Sequence, residues 1–402
     1  MIVRCESMGI GRFLGGDRME KYLLPRSMGA LVYLTHCALH GKTAEAGRLD
    51  GVDMERVLQL AQEQSMAAMA AWALEGVLEG EALAPWKEAR ERALRRNLLL
   101  DMERRQICAV MEQKGIWYMP LKGSVMKDLY PKMEMRQMTD QDVLFDTSRR
   151  QEMRQFMLAR GYDPKGHSDT HHDIYHKEPV YNIELHHTLF ERCCELQLVD
   201  YYEDVKSRMI PDAPGSFGHH FSDEDFYLYL MAHAYKHYTD HGVGLRSVVD
   251  VYVYDRAKPE LDWDYVEQES RKLGMAEYEK LCRSVARKLF DSEVPEQLDR
   301  EEYELVKFCC ASGTHGSEHG FIDHELQKLG DGKKVSFGAK VKYLWRRLFP
   351  SAQWMKQKDK RLRKHPWLLP FAWIARLFRG VFKKGGHTAK ELKYVMDKDG
   401  DK

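Results

Sequence analysis

The chain has 402 residues and a mass of 47.0 kDa, more than one average domain holds and enough for two or three. Hydrophobic residues make up 44% and charged residues 31%, a balance that excludes a largely disordered chain. Lys plus Arg and Asp plus Glu both number 62, so the formal net charge of zero also excludes a chain that is strongly basic or acidic throughout.

The charge is nevertheless unevenly spread. Residues 333–390 carry 17 Lys or Arg against the single acid Asp359, a balance of +16, which leaves −15 on residues 1–332 and −1 on the last twelve. An acidic body with a basic tail is the first organisational fact. Apolar runs fall short of the roughly 18–20 residues that span a bilayer; Trp367 to Ala375 comes closest and contains Pro370. Near the start, Arg4, Glu6, Arg12 and Asp17 interrupt any signal-peptide core. The eight cysteines include the adjacent pairs Cys193-Cys194 and Cys309-Cys310 but no CxxC, so neither a zinc site nor a disulfide framework reads from their spacing. Reduced thiols and a cytoplasmic location are expected.

In chain order, residues 1–18 read as a disordered leader, whose Gly9 to Gly16 follows no strand and opens no phosphate loop. Residues 19–114 read as helices, with an alanine-rich amphipathic stretch from Met66 to Leu78. The last of them places Leu94, Leu98 and Met102 on one face, followed by Ile107, Val110 and Met111, and Gly115 suits its end. Ile116 to Leu121 then reads as a short buried strand. Lys122-Gly123-Ser124 and a short helix to Leu129 follow, broken by Tyr130-Pro131. Asp142 to Asp146 is a second strand, and Arg149 to Ala159 a helix closed by Gly161. Asp173 to Lys177 and Tyr181 to His186 are strands around a Pro179 turn. This order over 115–200 predicts an α+β fold. A small mixed-sheet core is embedded between helical regions 19–114 and 201–330, and a basic aromatic tail, 331–402, follows.

The chemistry concentrates on the strands. Residues i and i+2 of a strand share a face, so Asp140 and Asp142 present two carboxylates together, and a neighbouring strand brings Glu184 between them. Carboxylates so crowded repel unless a divalent cation neutralises them, and hard oxygen ligands favour Mg²⁺ (or Mn²⁺). Upstream, Gly123-Ser124 sits where a strand turns into a helix, a place where backbone N–H groups bind phosphate. A phosphate cradle with a carboxylate trio equips a site for phosphoryl or nucleotidyl transfer.

The segment LKGSVMKDLYPKMEMRQMTDQDVLFD resembles the signature of the bacterial uncharacterised nucleotidyltransferase family, within the DNA polymerase β-type nucleotidyltransferase superfamily. The matching elements are Leu121-Lys122-Gly123, Tyr130-Pro131, Arg136 and Asp140-Gln141-Asp142. IELHHTL resembles the family's third-carboxylate strand through Glu184 and His186. HAYKHYTDHGVGLRSVVDVYVY resembles its helical element through His233, His237, Arg246 and Asp250. LFPSAQWM and HPWLLPFAWIARLFR in the tail also look familial. The resemblance implies a metal-dependent enzyme that moves an NMP from an NTP to an unknown acceptor hydroxyl and releases pyrophosphate. Asp140, Asp142 and Glu184 would hold Mg²⁺ or Mn²⁺, and Lys122, Gly123, Ser124 and Arg136 the nucleotide. His186, His233, His237, Arg246 and Asp250 would face the acceptor or support the ligands. Two departures from the wider superfamily stand out: 15 residues separate Ser124 from Asp140, and Lys122 replaces a usually apolar residue.

Blander readings stand beside these. Lys122 and Arg136 serve either a phosphate or a carboxylate partner. His167, His171, His172 and His176 lack metal-ligand spacing on a clear helix and read as a polar hairpin. His233 and His237, four apart on a helix, fit a buried network as well as an acceptor. Rival functions are a non-catalytic nucleotide binder, a toxin-like protein of the same fold, and a peripheral interaction protein acting through its tail. The tail's aromatic residues are expected to dock on the acidic body, with weak membrane-surface contact as the alternative and no specific nucleic acid.

Overall fold

The computed structural model describes residues 22–165, 171–190, 196–240, 242–314 and 336–352, with 355–356, 359–376, 394–396 and positions 322, 326 and 329; the expected leader lies outside them. Helices α1 (Arg26–Leu39), α2 (Met54–Glu63), α3 (Ala67–Leu74) and α4 (Gly80–Gln113) precede the sheet. Its strands are β1 (Tyr118–Pro120), β2 (Gln141–Phe145), β3 (Asp163–Lys165), β4 (His172–Lys177) and β5 (Tyr181–His186). Between them lie α5 (Gly123–Met126) and α6 (Arg150–Ala159). Helices α7 (Leu196–Tyr201), α8 (Asp223–Asp240), α9 (Leu245–Ala257), α10 (Trp263–Lys272), α11 (Ala276–Phe290) and α12 (Arg300–Ser312) follow.

The strand order is β1-β2-β5-β4-β3, with β2 and β5 parallel and the other neighbours antiparallel. This is the expected α+β core. β3 escapes the sequence pattern because three residues that include Pro164 are too short for alternation to show. The hairpin of β6 (Met209–Pro211) and β7 (His219–Phe221) falls in a stretch expected to be helical. It serves the sheet: Tyr118 N donates to Phe217 O at 2.9 Å, covering the free edge of β1.

Period-two alternation gives the sheet two unlike faces. Val143, Phe145, Ile183 and Leu185 pack with Ile107 and Met111 of α4 and Met153 and Met157 of α6. Asp142, Leu144, Glu184 and His186 fall on the opposite face, where Leu144 joins the main core. That core contains Leu31 and Ala70 before the sheet and Met231, Val249, Val285 and Val306 after it. The two flanking helical regions therefore share one interior.

The stripe Leu94, Leu98 and Met102 is a correction: these residues are 36%, 45% and 58% exposed. The buried stripe of α4 runs through Ala93, Asn97, Leu100, Ile107 and Met111. Asn97 occupies a core position because its side chain ties down the loop that leads into β2. It donates to Met133 O at 2.8 Å and Arg136 O at 2.9 Å, and accepts from Met138 N at 3.2 Å. A polar residue at an inward position displaced the apolar pattern onto the solvent side. Gly115 ends α4 as expected, at φ +66°.

No helix among the described residues is long and apolar enough to cross a membrane. In the tail, Trp345, Trp367 and Phe371 are 64%, 68% and 64% exposed, contrary to the expected docking on the body. Trp345 instead meets Phe349 in a tilted ring contact at 4.7 Å, and Trp373 Nε1 donates to Pro350 O at 3.0 Å. Trp354, Phe378 and Phe382 lie outside the described residues.

Candidate active site

Register assembles the acids. The parallel ladder sets Asp142 beside Glu184 and Leu144 beside His186. The antiparallel ladder sets Ile174 beside Glu184 and His172 beside His186. His186 Nε2–H donates to Asp142 Oδ1 at 2.7 Å, and Lys122 Nζ donates to the same oxygen at 2.9 Å. Glu184 Oε2 lies 3.6 Å from His186 Nε2 and 3.7 Å from His172 Nε2. Donor atoms of Asp142, Glu184 and His186 all fall within 4.8 Å of one another. Asp140 does not share the strand, because β2 begins one residue later. It lines the same cavity, together with Asp142 and Glu184.

The electrostatics divide these carboxylates. Burial and the neighbouring Asp142 charge push the Asp140 carboxyl up to about 6, from 3.8. Burial opposes ionisation of Asp142 as well, but Lys122 and the hydrogen bond from His186 hold that carboxyl far below its ordinary range. An acid raised in the folded state prefers its proton there. Asp140 therefore imposes no cost at low pH, and a cost that grows as pH rises from about 3.8 through about 6. Asp140→Asn is expected to raise the urea midpoint of the metal-free protein at pH 7 and leave it unchanged near pH 4. A variant no more stable at pH 7 contradicts the crowding.

The turn before α5 differs from the expected phosphate cradle. Ser124 N donates to Leu121 O at 3.1 Å and Val125 N to Lys122 O at 3.1 Å, so these amides are already used. The Ser124 hydroxyl donates to the Gln141 side chain in the interior. A Cβ on Gly123 would come within 2.5 Å of Arg136 Nη1 and Met138 Cε, so glycine is needed here by the adjoining loop. Lys122 adopts φ +45°, a conformation costly for a side-chain-bearing residue, and its ammonium reaches Asp142.

Arg136 is likewise committed. Its Nε and Nη2 donate to the two Asp250 oxygens at 2.9 Å each, and Tyr130 Oη donates to Asp250 Oδ1 at 2.7 Å. Arg136 and Asp250, expected to face the nucleotide and the acceptor, are 7% and 4% exposed and bind each other. Both border the cavity, but their polar atoms tie α9 to the loop before β2.

The cavity holds about 320 Å³. Besides the acids, α8 contributes His233, Lys236 and His237 to its lining, and α9 contributes Arg246. His233 and His237 meet at 3.2 Å between their Nε2 atoms, and burial with the nearby cations Lys122 and Lys236 keeps His233 neutral. Arg246 Nη1 donates to Gln137 O at 2.8 Å. Among the described residues no carboxylate forms an ion pair with Arg246 or Lys236. Lys236 was missed, although it shares a helical face with His233 by the i, i+3 rule. His171 and His172, expected in a polar hairpin, also line the cavity. The hairpin register pairs His172 with His186, a signal that counting outward from the Pro179 turn recovers. His176 is exposed, and His167 lies outside the described residues.

A sequence model of the family described as uncharacterised nucleotidyltransferase matches residues 50–291, a span that includes all seven strands and the cavity walls on α8 and α9. No curated protein and no solved structure matches the chain. With a match over more than half its length, enclosing the acids of β2 and β5 and the cations of α8 and α9, the chain belongs to the uncharacterised nucleotidyltransferase family.

Proposed function

We propose that the chain moves a nucleoside monophosphate from a nucleoside triphosphate to an acceptor hydroxyl, with release of pyrophosphate. One observation carries this reading. Asp140, Asp142 and Glu184 line a single cavity together with Lys236 and Arg246. The acidic lining suits a hard divalent cation: burial and the neighbouring Asp142 charge raise Asp140, and such a cation relieves the second of these. Asp140, Asp142 and Glu184 would hold Mg²⁺ or Mn²⁺, which supplies charge neutralisation at the phosphoryl group and a more acidic acceptor hydroxyl.

The chain's own residues do the rest. Lys236 and Arg246 bind the β- and γ-phosphate oxygens, a role the sequence reading places on Gly123, Ser124 and Lys122. This clamp aligns the α-phosphorus with the acceptor, and alignment is the main protein contribution to phosphoryl chemistry. The acceptor oxygen forms a bond to the α-phosphorus as the bond to the pyrophosphate oxygen breaks. Glu184 takes the hydroxyl proton. His186 fixes the Asp142 carboxylate through its Nε2–H. The strand-borne acids agree with the resemblance to the polymerase β-type superfamily, with Glu184 as third acid.

Arg246→Met and Lys236→Met are each expected to weaken NTP binding about 10- to 100-fold, the loss of one charge-assisted contact. A fluorescent NTP analogue measures the affinity, and pyrophosphate release measures turnover. Unchanged affinity in both variants would remove the triphosphate from this wall.

A further inference from the structure

Three imidazoles crowd the carboxylates, and the transfer chemistry uses only one of them. His172 sits across the β4–β5 ladder from His186, and His171 directly precedes it. Donor atoms of His171, His172 and His186 fall within 4.8 Å of one another. Their ring centroids are 4.1, 5.3 and 5.0 Å apart for the pairs 171–172, 171–186 and 172–186. His172 Nε2 and His186 Nε2 stand 3.7 and 3.6 Å from one oxygen, Glu184 Oε2. A tetrahedral shell with metal–ligand distances of about 2.0–2.1 Å spaces neighbouring donors about 3.3 Å apart. The observed spacings exceed this by only 0.3–0.4 Å or so.

We propose that His172, His186 and Glu184, with His171 beside them, bind a transition-metal dication of the zinc or cobalt kind in preference to magnesium. Imidazole nitrogen suits these borderline cations, whereas magnesium takes oxygen and water. Neutral imidazole is the ligating form. His186 Nδ1 is buried and has no hydrogen-bond partner among the described residues, so it can carry the ring proton and leave Nε2, the nitrogen nearest Glu184, to the metal in place of its bond to Asp142. The site shares Glu184 with the proposed transfer reaction and so rests on the same cavity, but binding of the metal requires neither nucleotide nor turnover.

The test uses the full chain, stripped with a chelator and titrated with Co²⁺ while visible ligand-field absorption is recorded. One Co²⁺ per chain is expected, with the spectrum of a nitrogen-containing shell that millimolar Mg²⁺ leaves in place. The double variant His171→Asn/His172→Asn is expected to weaken Co²⁺ binding at least about 10-fold, with circular dichroism and urea midpoint unchanged. Should that variant fail to fold, electron paramagnetic resonance of the Mn²⁺- or Cu²⁺-loaded wild type decides, because coordinated imidazole leaves ¹⁴N couplings. An all-oxygen shell, or Co²⁺ displaced by millimolar Mg²⁺, overturns the proposal. Nitrogen-ligated Co²⁺ in a protein that transfers no nucleotide would refute the transfer reading alone.

Discussion

Asp142→Asn is expected to lower nucleotidyl transfer at least about 10³-fold and to destabilise the fold as well. One Asp142 oxygen accepts both Lys122 Nζ and His186 Nε2–H, and its side chain is 4% exposed. The amide keeps the volume but leaves the Lys122 ammonium, 18% exposed, without its counter-charge. Breaking one partner of a buried ion pair costs about 3–5 kcal/mol. Glu184→Gln separates the two effects. Among the described residues Glu184 pairs with two imidazoles, at 3.6 and 3.7 Å, so its amide should lose activity alike while the urea midpoint stays close to wild type. Urea denaturation with a pyrophosphate-release assay checks both. Folded Asp142→Asn that keeps wild-type turnover would remove the acid from the reaction.

Asp250→Ala is expected to cost about 3–5 kcal/mol, because it strands the buried Arg136 guanidinium. Two fork contacts at 2.9 Å and the Tyr130 hydroxyl at 2.7 Å disappear in one substitution. The double variant Arg136→Met/Asp250→Leu removes both charges and should recover most of the loss, since an apolar pair of similar volume often replaces a buried ion pair without penalty. Its affinity for NTP should remain near wild type. A loss above about 10-fold in the folded double variant would return Arg136 to the nucleotide.

These two sites show where sequence reasoning reaches and where it stops. Asp142 and Glu184 were legible because strand alternation fixes which residues share a face, and a parallel neighbour then places the second acid. Asp140 lies one position before β2, which starts at Gln141, so its place in the cavity does not follow from strand alternation. Arg136 and Asp250 were recognised as site residues but not as partners. A pair 114 residues apart has no local signal, and α9 meets the loop before β2 only through tertiary packing. The Gly123-Ser124 turn misled for a related reason. A glycine looks the same in sequence whether a phosphate or the Arg136 and Met138 side chains require the missing Cβ. The inward face of α4 is hard to read because Asn97 is polar, and only the folded chain supplies the three hydrogen bonds that allow its burial. His172, by contrast, was recoverable from the hairpin register alone.

The most direct measurement gives the protein each NTP, labelled at either the α- or the γ-phosphorus, with Mg²⁺ or Mn²⁺ and a fractionated cell extract. Label from the α-position is expected on an acceptor, with an equal amount of pyrophosphate released, and Glu184→Gln should abolish both. Label transferred from the γ-position, or α-label that passes equally well with Glu184→Gln, would contradict nucleotidyl transfer by this site.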